Sequence, residues 1–268
     1  MERQLQHVLD RIEGEVAILV SIESKRYEHN VTQKFSAASL IKWPIFLYGF
    51  HLVSCCDRQL DEPIPMFRSD VVGGAGVIQS LPPRPTYSFQ ELLTLMMVVS
   101  DNTATNILIR DLGIENVQAF IKENDLQGTH LNRNLMDMDA MEAGLDNTIT
   151  AAAIGKCLSL ISDPDLFEQK YSTMMMEILS HQQFTDKLSA KVNVEEVQFY
   201  NKTGELPGVE HDSALIKYKA NVAEVVVLTE GLTSNWKGKE LIADVGKLVV
   251  EELIVREEKP VEANHQRN

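Results

Sequence analysis

Ser39 and Lys42 stand three residues apart in Phe35-Ser36-Ala37-Ala38-Ser39-Leu40-Ile41-Lys42-Trp43-Pro44-Ile45-Phe46. A small, polar run leads into an apolar run with helical character, so both side chains fall on one face at a helix start. The N-terminal end of a helix carries a positive partial charge and unpaired N–H groups. That field favours an alkoxide on Ser39 and a neutral amine on Lys42. A neutral lysine beside a serine is a base beside a nucleophile, the pairing that acyl transfer needs. Spacing alone is weak support: a chain of this length holds roughly one Ser-x-x-Lys by chance. Ser234-Asn235-Trp236-Lys237 has the same spacing.

Two further motifs lift Ser39 above Ser234. Ser100-Asp101-Asn102 follows Ser39 after 61 residues, and Lys202-Thr203-Gly204 follows Ser100 after 102. The chance of either tripeptide is on the order of a few hundredths at average composition, and both in this order are far rarer. Each has a local setting suited to a site. Ser100-Asp101-Asn102 is a polar break between two largely apolar helical runs, with Asp101 placed to cap the second. Lys202-Thr203-Gly204 follows the strand-like residues 197–201, where Gly204 lets a substrate approach the backbone.

The elements that position these motifs read as follows. Residues 2–13 form an amphipathic helix ended near Gly14, residues 16–22 a buried strand and residues 27–32 a second strand. The Ser39 helix runs to about residue 53. Residues 70–76 are glycine-rich but lack the spacing of a phosphate loop, so they form a backbone turn. Ser88 and Glu91 fit a capping box for a helix over 92–99. Helices follow over 103–110 and 114–124, and residues 129–149 are irregular. Thr150 caps a helix through 160, and Pro164 opens another to about 180, whose Met174-Met175-Met176 run fills core gaps. Strands over 197–201, 213–219 and 222–229 form an antiparallel meander. A helix over 237–256 closes the chain, and residues 257–268 fray. The fold class is α/β (α+β): an antiparallel sheet flanked by N- and C-terminal helices, built from residues 1–36 and 185–268, with an all-helical domain over 37–184 inserted. The cleft between the two is the expected site.

Composition narrows the function classes. Apolar content of 44% and charged content of 24% suit a soluble globular protein. A net charge of −14 repels phosphate backbones and anionic lipid surfaces, which argues against nucleic acid and membrane partners. Cys55, Cys56 and Cys157 do not make a disulfide framework. Residues 1–10 lack the apolar core of a signal peptide, and no apolar run approaches the roughly 18 residues of a bilayer span. The expected setting is the cytoplasm, and nothing calls for a metal or cofactor.

The three motifs in this order are the signature of one group of serine acyl-transfer enzymes. With Gly74-Ala75-Gly76-Val77-Ile78, with residues 97–106 and with residues 202–212, the chain resembles the class A β-lactamase-like serine hydrolases from about residue 14 to 255. The resemblance implies a β-lactamase/transpeptidase-like fold and a small-molecule substrate bearing a carboxylate, either a β-lactam, a peptide or an ester. It implies that Ser39 attacks a carbonyl to form an acyl-enzyme, that Lys42 takes or relays the proton, and that Ser100 protonates the leaving nitrogen. Asn102 would orient Lys42 and bind a substrate amide. Lys202 and Thr203 would hold the carboxylate beside Gly204. The N–H groups of Ser39 and Glu205 would form the oxyanion hole.

One position departs from the family. An arginine in its loop is followed two residues on by a glutamate that activates the water releasing the acyl group. Here Arg133 is followed by Leu135, and the family's water-holding asparagine a few residues on is not matched. Asp137, Asp139 and Glu142 are the nearby carboxylates, with Asp137 the chosen substitute base; all three also suit surface charges. Three activities stay open: β-lactam hydrolysis, peptidase or esterase chemistry on the same scaffold, or a penicillin-binding or sensor protein that acylates with little turnover.

Overall fold

A computed structural model describes residues 1–258. In chain order the elements are α1 (Glu2–Leu9), β1 (Glu15–Ile22), β2 (Lys25–His29), β3 (Phe35–Ser36), a 3-10 turn (Ala38–Ile41), α2 (Lys42–Ser54), β4 (Pro63–Pro65) and β5 (Thr86–Ser88). Then come α3 (Phe89–Val98), α4 (Asn102–Leu112), α5 (Ile114–Glu123), α6 (Met138–Glu142), β6 (Thr148–Ile149), α7 (Ala151–Leu160) and α8 (Gln169–Ser180). The chain closes with β7 (Val197–Leu206), β8 (Val209–Tyr218), β9 (Asn221–Glu230) and α9 (Asn235–Glu258).

The main sheet is antiparallel, with strand order β2-β1-β9-β8-β7. The first and last thirds of the chain therefore share it, as expected, and β7 is left as an edge. Alternation along the strands splits the apolar residues between two faces. Ile18, Val20, Ala214, Ile216, Val225 and Val227 pack against Leu5 of α1 and Leu241, Val245 and Val249 of α9. Ala17, Leu19, Leu215, Val226 and Leu228 face the helical block and join a core that contains Phe35, Trp43, Phe46 and Phe50. Each buried Val, Leu, Ile or Phe side chain among them contributes about 1.5–3 kcal/mol on burial. No helix among the described residues is long and apolar enough to cross a membrane.

Several boundaries differ from the sequence reading. Ser39 lies inside a 3-10 turn, and the α-helix proper starts at Lys42. Pro44 then falls in the first α-helical turn, where its missing N–H has no intrahelical partner to lose. The capping box of Ser88 and Glu91 and the Thr150 cap form as read. The largest differences are in the meander. Lys202-Thr203-Gly204 does not follow a strand but lies within β7, paired with Ser213, Asp212 and His211. Polar residues hid this extension, because pairing with β8 overrides their weak strand preference. The irregular stretch 129–149 contains the one-turn α6 and the short β6, which pairs with β3. Helix α8 begins at Gln169, five residues after Pro164. Glu257 and Glu258, read as part of a frayed tail, continue α9, and the rest of that stretch lies outside the described residues.

Candidate active site

Three backbone devices bring the motifs to one crevice. The first fixes the turn that carries Ser39. Ser36 O accepts from His211 Nε2 at 2.8 Å, Ser36 N donates to the Glu230 carboxylate at 3.1 Å, and Ala37 N donates to Asn147 O at 2.8 Å. Burial pushes the His211 imidazole down to about 4, so it stays neutral. Its Nε2 then carries the proton given to Ser36 O, and its Nδ1 accepts from Thr229 N. Held at this end, the chain turns through Ala38 at φ +44, a left-handed conformation costing on the order of 1–3 kcal/mol for a non-glycine residue.

The second device breaks the helical run. Ser100 sits at φ +54 between α3 and α4. Asp101 caps α4 through Ala104 N at 2.9 Å, as read from sequence. Its other oxygen accepts from Val77 N and Ile78 N at 2.6 and 2.8 Å. Asn102 N donates to Ala75 O, and Asn102 Nδ2 to Gly73 O at 3.2 Å. The glycine-rich turn is thus fastened across the helix break. A Cβ on Gly76 would lie 2.3 Å from the Asp101 carboxyl carbon, so only glycine fits there. The third device is β7, whose free edge lies beside the Ser39 turn.

The side chains meet in a chain of short contacts. Lys42 Nζ lies 3.1 Å from Ser39 Oγ and 2.9 Å from Ser100 Oγ. It also reaches Ser100 O at 2.7 Å and Asn102 Oδ1 at 3.0 Å. Ser100 Oγ is 2.9 Å from Ser39 Oγ, and Lys202 Nζ is 3.0 Å from Ser100 Oγ. Lys42 is fully buried, and its pKa is held well below the ordinary lysine value, first by lost hydration and then by the Lys202 charge, against the pull of Asp101. A neutral amine has two N–H donors and one lone pair. The carbonyl of Ser100 and the Asn102 oxygen can only accept, so they take the two N–H bonds and the lone pair is left for a hydroxyl. Lys202 is lowered to about 7 by burial and by the nearby Lys187 cation.

The third part of the site is a pair of backbone donors. Pro207-Gly208 is a two-residue hairpin, so Leu206 and Val209 form its closing pair. Alternation along an antiparallel ladder then turns the Glu205 N–H outward, to the free edge of β7. Gly204 lets that edge approach: a Cβ on it would stand 3.1 Å from Ala38 Cβ and 3.3 Å from Ser39 N. Thr203 is buried beside Lys202, and the Glu205 carboxylate points elsewhere, 3.1 Å from Lys239 Nζ. No cluster of His, Cys, Asp and Glu among the described residues could hold a metal ion.

The chain matches the family described as "Beta-lactamase enzyme family" over residues 1–253. It belongs to the β-lactamase enzyme family. Among solved structures, a β-lactamase from Sphaerobacter thermophilus is 24% identical, with TM-score 0.84, covering 95% of this chain and 97% of that one. A leucine-to-glutamate variant of PBP-A, solved as its acyl-enzyme complex with penicillin G, is 22% identical with TM-score 0.85, covering 95% and 96%. An ancestral class A β-lactamase is 23% identical with TM-score 0.84, covering 93% and 98%. At these identities the likeness establishes the fold. No curated protein matches the chain.

In this β-lactamase-family chain, residues 133–146 form a loop closed at its neck. Arg133 pairs with Asp146 at 2.7 Å, and Asn147 Oδ1 accepts from the N–H groups of Asn132 and Arg133. Leu135 is clamped by one amide side chain: its N–H donates to Asn106 Oδ1 at 2.8 Å, and its carbonyl accepts from Asn106 Nδ2 at 3.0 Å. Its own side chain belongs to the helical core. Sequence reading did not single out Asn106, although it lies one helical turn beyond Asn102. Asp137, the expected substitute base, caps α6 through Ala140 N at 3.0 Å and has no hydrogen bond to Ser39, Lys42 or Ser100. Asp139 and Glu142 are exposed on α6. The structure therefore gathers Ser39, Lys42, Ser100, Asn102 and Lys202, with Gly204 against the Ser39 turn, and leaves the three loop carboxylates outside that hydrogen-bonded set.

Proposed function

We propose that the chain is a serine hydrolase that opens a β-lactam ring by acylation of Ser39 and releases the acyl group slowly. The single observation that carries this reading is the Lys42 amine, buried and 3.1 Å from the Ser39 hydroxyl. Ser39 Oγ passes its proton to Lys42 Nζ and bonds to the lactam carbonyl carbon. The carbonyl oxygen takes the negative charge beside the N–H groups of Ser39 and Glu205; one such donor is worth about 3 kcal/mol in the transition state. The carbon–nitrogen bond breaks, the nitrogen takes the Ser100 Oγ proton, and Lys42 returns a proton to Ser100. Protonated Lys202 binds the substrate carboxylate, with Thr203 beside it.

The slow release follows from Leu135. A buried leucine cannot take a proton from water, and Asp137, the substitute base expected from sequence, is engaged as a helix cap. The likeness to a PBP-A variant solved as its acyl-enzyme with penicillin G supports the acylation step of this reading. The test is to mix the protein with penicillin G and a chromogenic cephalosporin and follow intact mass and colour together. A persistent adduct on Ser39, absent in Ser39→Ala, with little colour beyond one equivalent, is the expected result. Sustained colour would make the protein a turnover β-lactamase instead. No adduct, with cleavage of simple esters, would move it to an esterase.

A further inference from the structure

The proposed mechanism leaves a buried ion pair without a task. Lys187 and Glu210 are 2% and 0% exposed, and their charged atoms are 2.5 Å apart. Burying such a pair is seldom an efficient way to stabilise a fold, because both ions lose their hydration. Its position is informative. Lys187 Nζ also donates to Gly204 O at 2.8 Å and His211 O at 3.2 Å. Gly204 and His211 are register partners in the β7–β8 ladder. One ammonium group therefore fastens both strands at the residue before Glu205.

The pair lies on the α9 face of the sheet, opposite to the crevice. Leu188, next to Lys187, packs with Leu241 and Val245 of α9. The Glu210 carboxylate accepts from Asn235 Nδ2 at 2.9 Å, and Gly238 is the only residue that fits over its stem, since a Cβ there would stand 2.9 Å from Glu210 Cβ. Lys239 of α9 adds a second tie: its Nζ lies 2.8 Å from Asp186 and 3.1 Å from Glu205. The peptide whose N–H faces the substrate carbonyl is thus held from behind at Gly204 O and at the Glu205 side chain.

We propose that Lys187, locked by Glu210, is a positioning residue: it holds the Gly204–Glu205 peptide at the oxyanion site and places a positive charge behind Lys202. This rests on the acyl-transfer reading of the site. Lys187 touches neither the nucleophile nor the substrate in this role. The charged groups facing Lys202 are Lys42 on α2, Lys187 ahead of β7 and Asp212 on β8. Lys187 is the one among them that lies outside the reacting set and lowers the Lys202 pKa, so its removal raises that pKa.

The test uses the full chain. Lys187→Met alone strands a buried carboxylate and can unfold the protein, so the informative variant is Lys187→Met/Glu210→Gln, with its melting temperature measured alongside. Acylation by penicillin G is resolved into the affinity of the first complex and the rate of bond formation, across pH. The expected result is a rate lower by roughly ten- to hundredfold, an affinity at neutral pH unchanged or tighter, and an alkaline limb moved to higher pH. A folded double variant with the parent rate and the parent limb overturns the proposal. So does a variant whose affinity falls while its rate holds, because Lys187 would then be a carboxylate ligand. Phosphonylation of Ser39 by a fluorophosphonate is measured in parallel. If the parent takes the fluorophosphonate but not penicillin, the β-lactam reading fails, and the rate ratio for phosphonylation still decides the role of Lys187. If the parent takes neither, both readings fall.

Discussion

Two regions flank Ser39, and they are built to different standards. On the side of α4 and β7, the side chains of Ser39, Lys42, Ser100, Asn102 and Lys202 each have a partner at hydrogen-bond distance, and both of these lysines are wholly buried. On the side of the 133–146 loop, Met136, Met138, Met141 and Leu145 are exposed, Asp146 is paired with Arg133, and Asp137, Asp139 and Glu142 are a helix cap and surface charges. Under the proposed mechanism the first region supplies a base, a proton carrier and two oxyanion donors. The second holds no group in hydrogen-bond contact with Ser39 that could deliver water. Forming and breaking an acyl-enzyme call for different groups, and the proposed mechanism finds only the first set here. The contrast can be broken or sharpened by substitutions on either side.

The largest effect is expected from Lys42→Met. It removes the proposed base while filling the same buried space, so acylation should fall by about a thousandfold or more. Folding stability should hold or rise, because a lysine whose charged form is penalised by burial has been replaced by an apolar side chain. Adduct formation by intact mass and a thermal melt check the two halves. A loss of rate together with a collapsed melting temperature would make Lys42 a structural residue.

Next is the opposite region. Leu135→Glu puts a carboxylate on a backbone already clamped by Asn106. If release lacks only a base, the adduct lifetime should shorten by about a hundredfold. The substitution also places a polar group where a side chain was 9% exposed, at a cost of about 1–3 kcal/mol. Time-resolved mass of the penicillin adduct is the measurement. An unchanged lifetime in a folded variant would show that the loop excludes water as well as lacking a base.

A smaller effect comes with pH. Acylation needs Lys42 neutral and, for a carboxylate substrate, Lys202 protonated. Lys202 is lowered to about 7, so the second-order acylation rate should decline as pH rises through that value. The decline on the acid side comes from protonation of Lys42, at a pH well below the ordinary lysine value. For a neutral ester, which does not use Lys202 as an anion ligand, the alkaline decline should shrink severalfold. An alkaline limb that is the same for both substrates would remove Lys202 from carboxylate binding.

The same contrast runs through what the sequence made legible. Ser39, Lys42, Ser100, Asn102 and Lys202 could be found because each sits in a short motif whose spacing is itself chemical. The caps at Ser88, Asp101 and Thr150 were readable for the same reason: a cap acts over three residues. Lys187 and Glu210 were not found. A lysine and a glutamate read as solvated surface, and only the pairing of β7 with β8 under α9 buries them. The left-handed turns at Ala38 and Ser100 were equally hidden, since neither residue type announces positive φ and the strain is imposed by contacts from distant strands and loops. The strand extension through Lys202-Thr203-Gly204 was missed because its residues are chosen for the crevice rather than for strand preference.

The smallest expected effect tests the weakest part of the sequence reading. Asp137→Ala removes a cap from the one-turn α6, whose Ala140 N–H would lose its partner. The local cost is about 1 kcal/mol, and a helix this short contributes little to global stability. If Asp137 serves only there, the lifetime of the penicillin adduct should stay within about twofold of the parent, because no other hydrogen bond of its carboxylate links it to the site. A general base removed from the same position would lengthen that lifetime by about a hundredfold. The two outcomes are far enough apart that a single time course of adduct mass separates them. The longer lifetime would mean that the loop swings Asp137 toward Ser39 once the acyl group is in place, and that the second region is organised only in the acylated state.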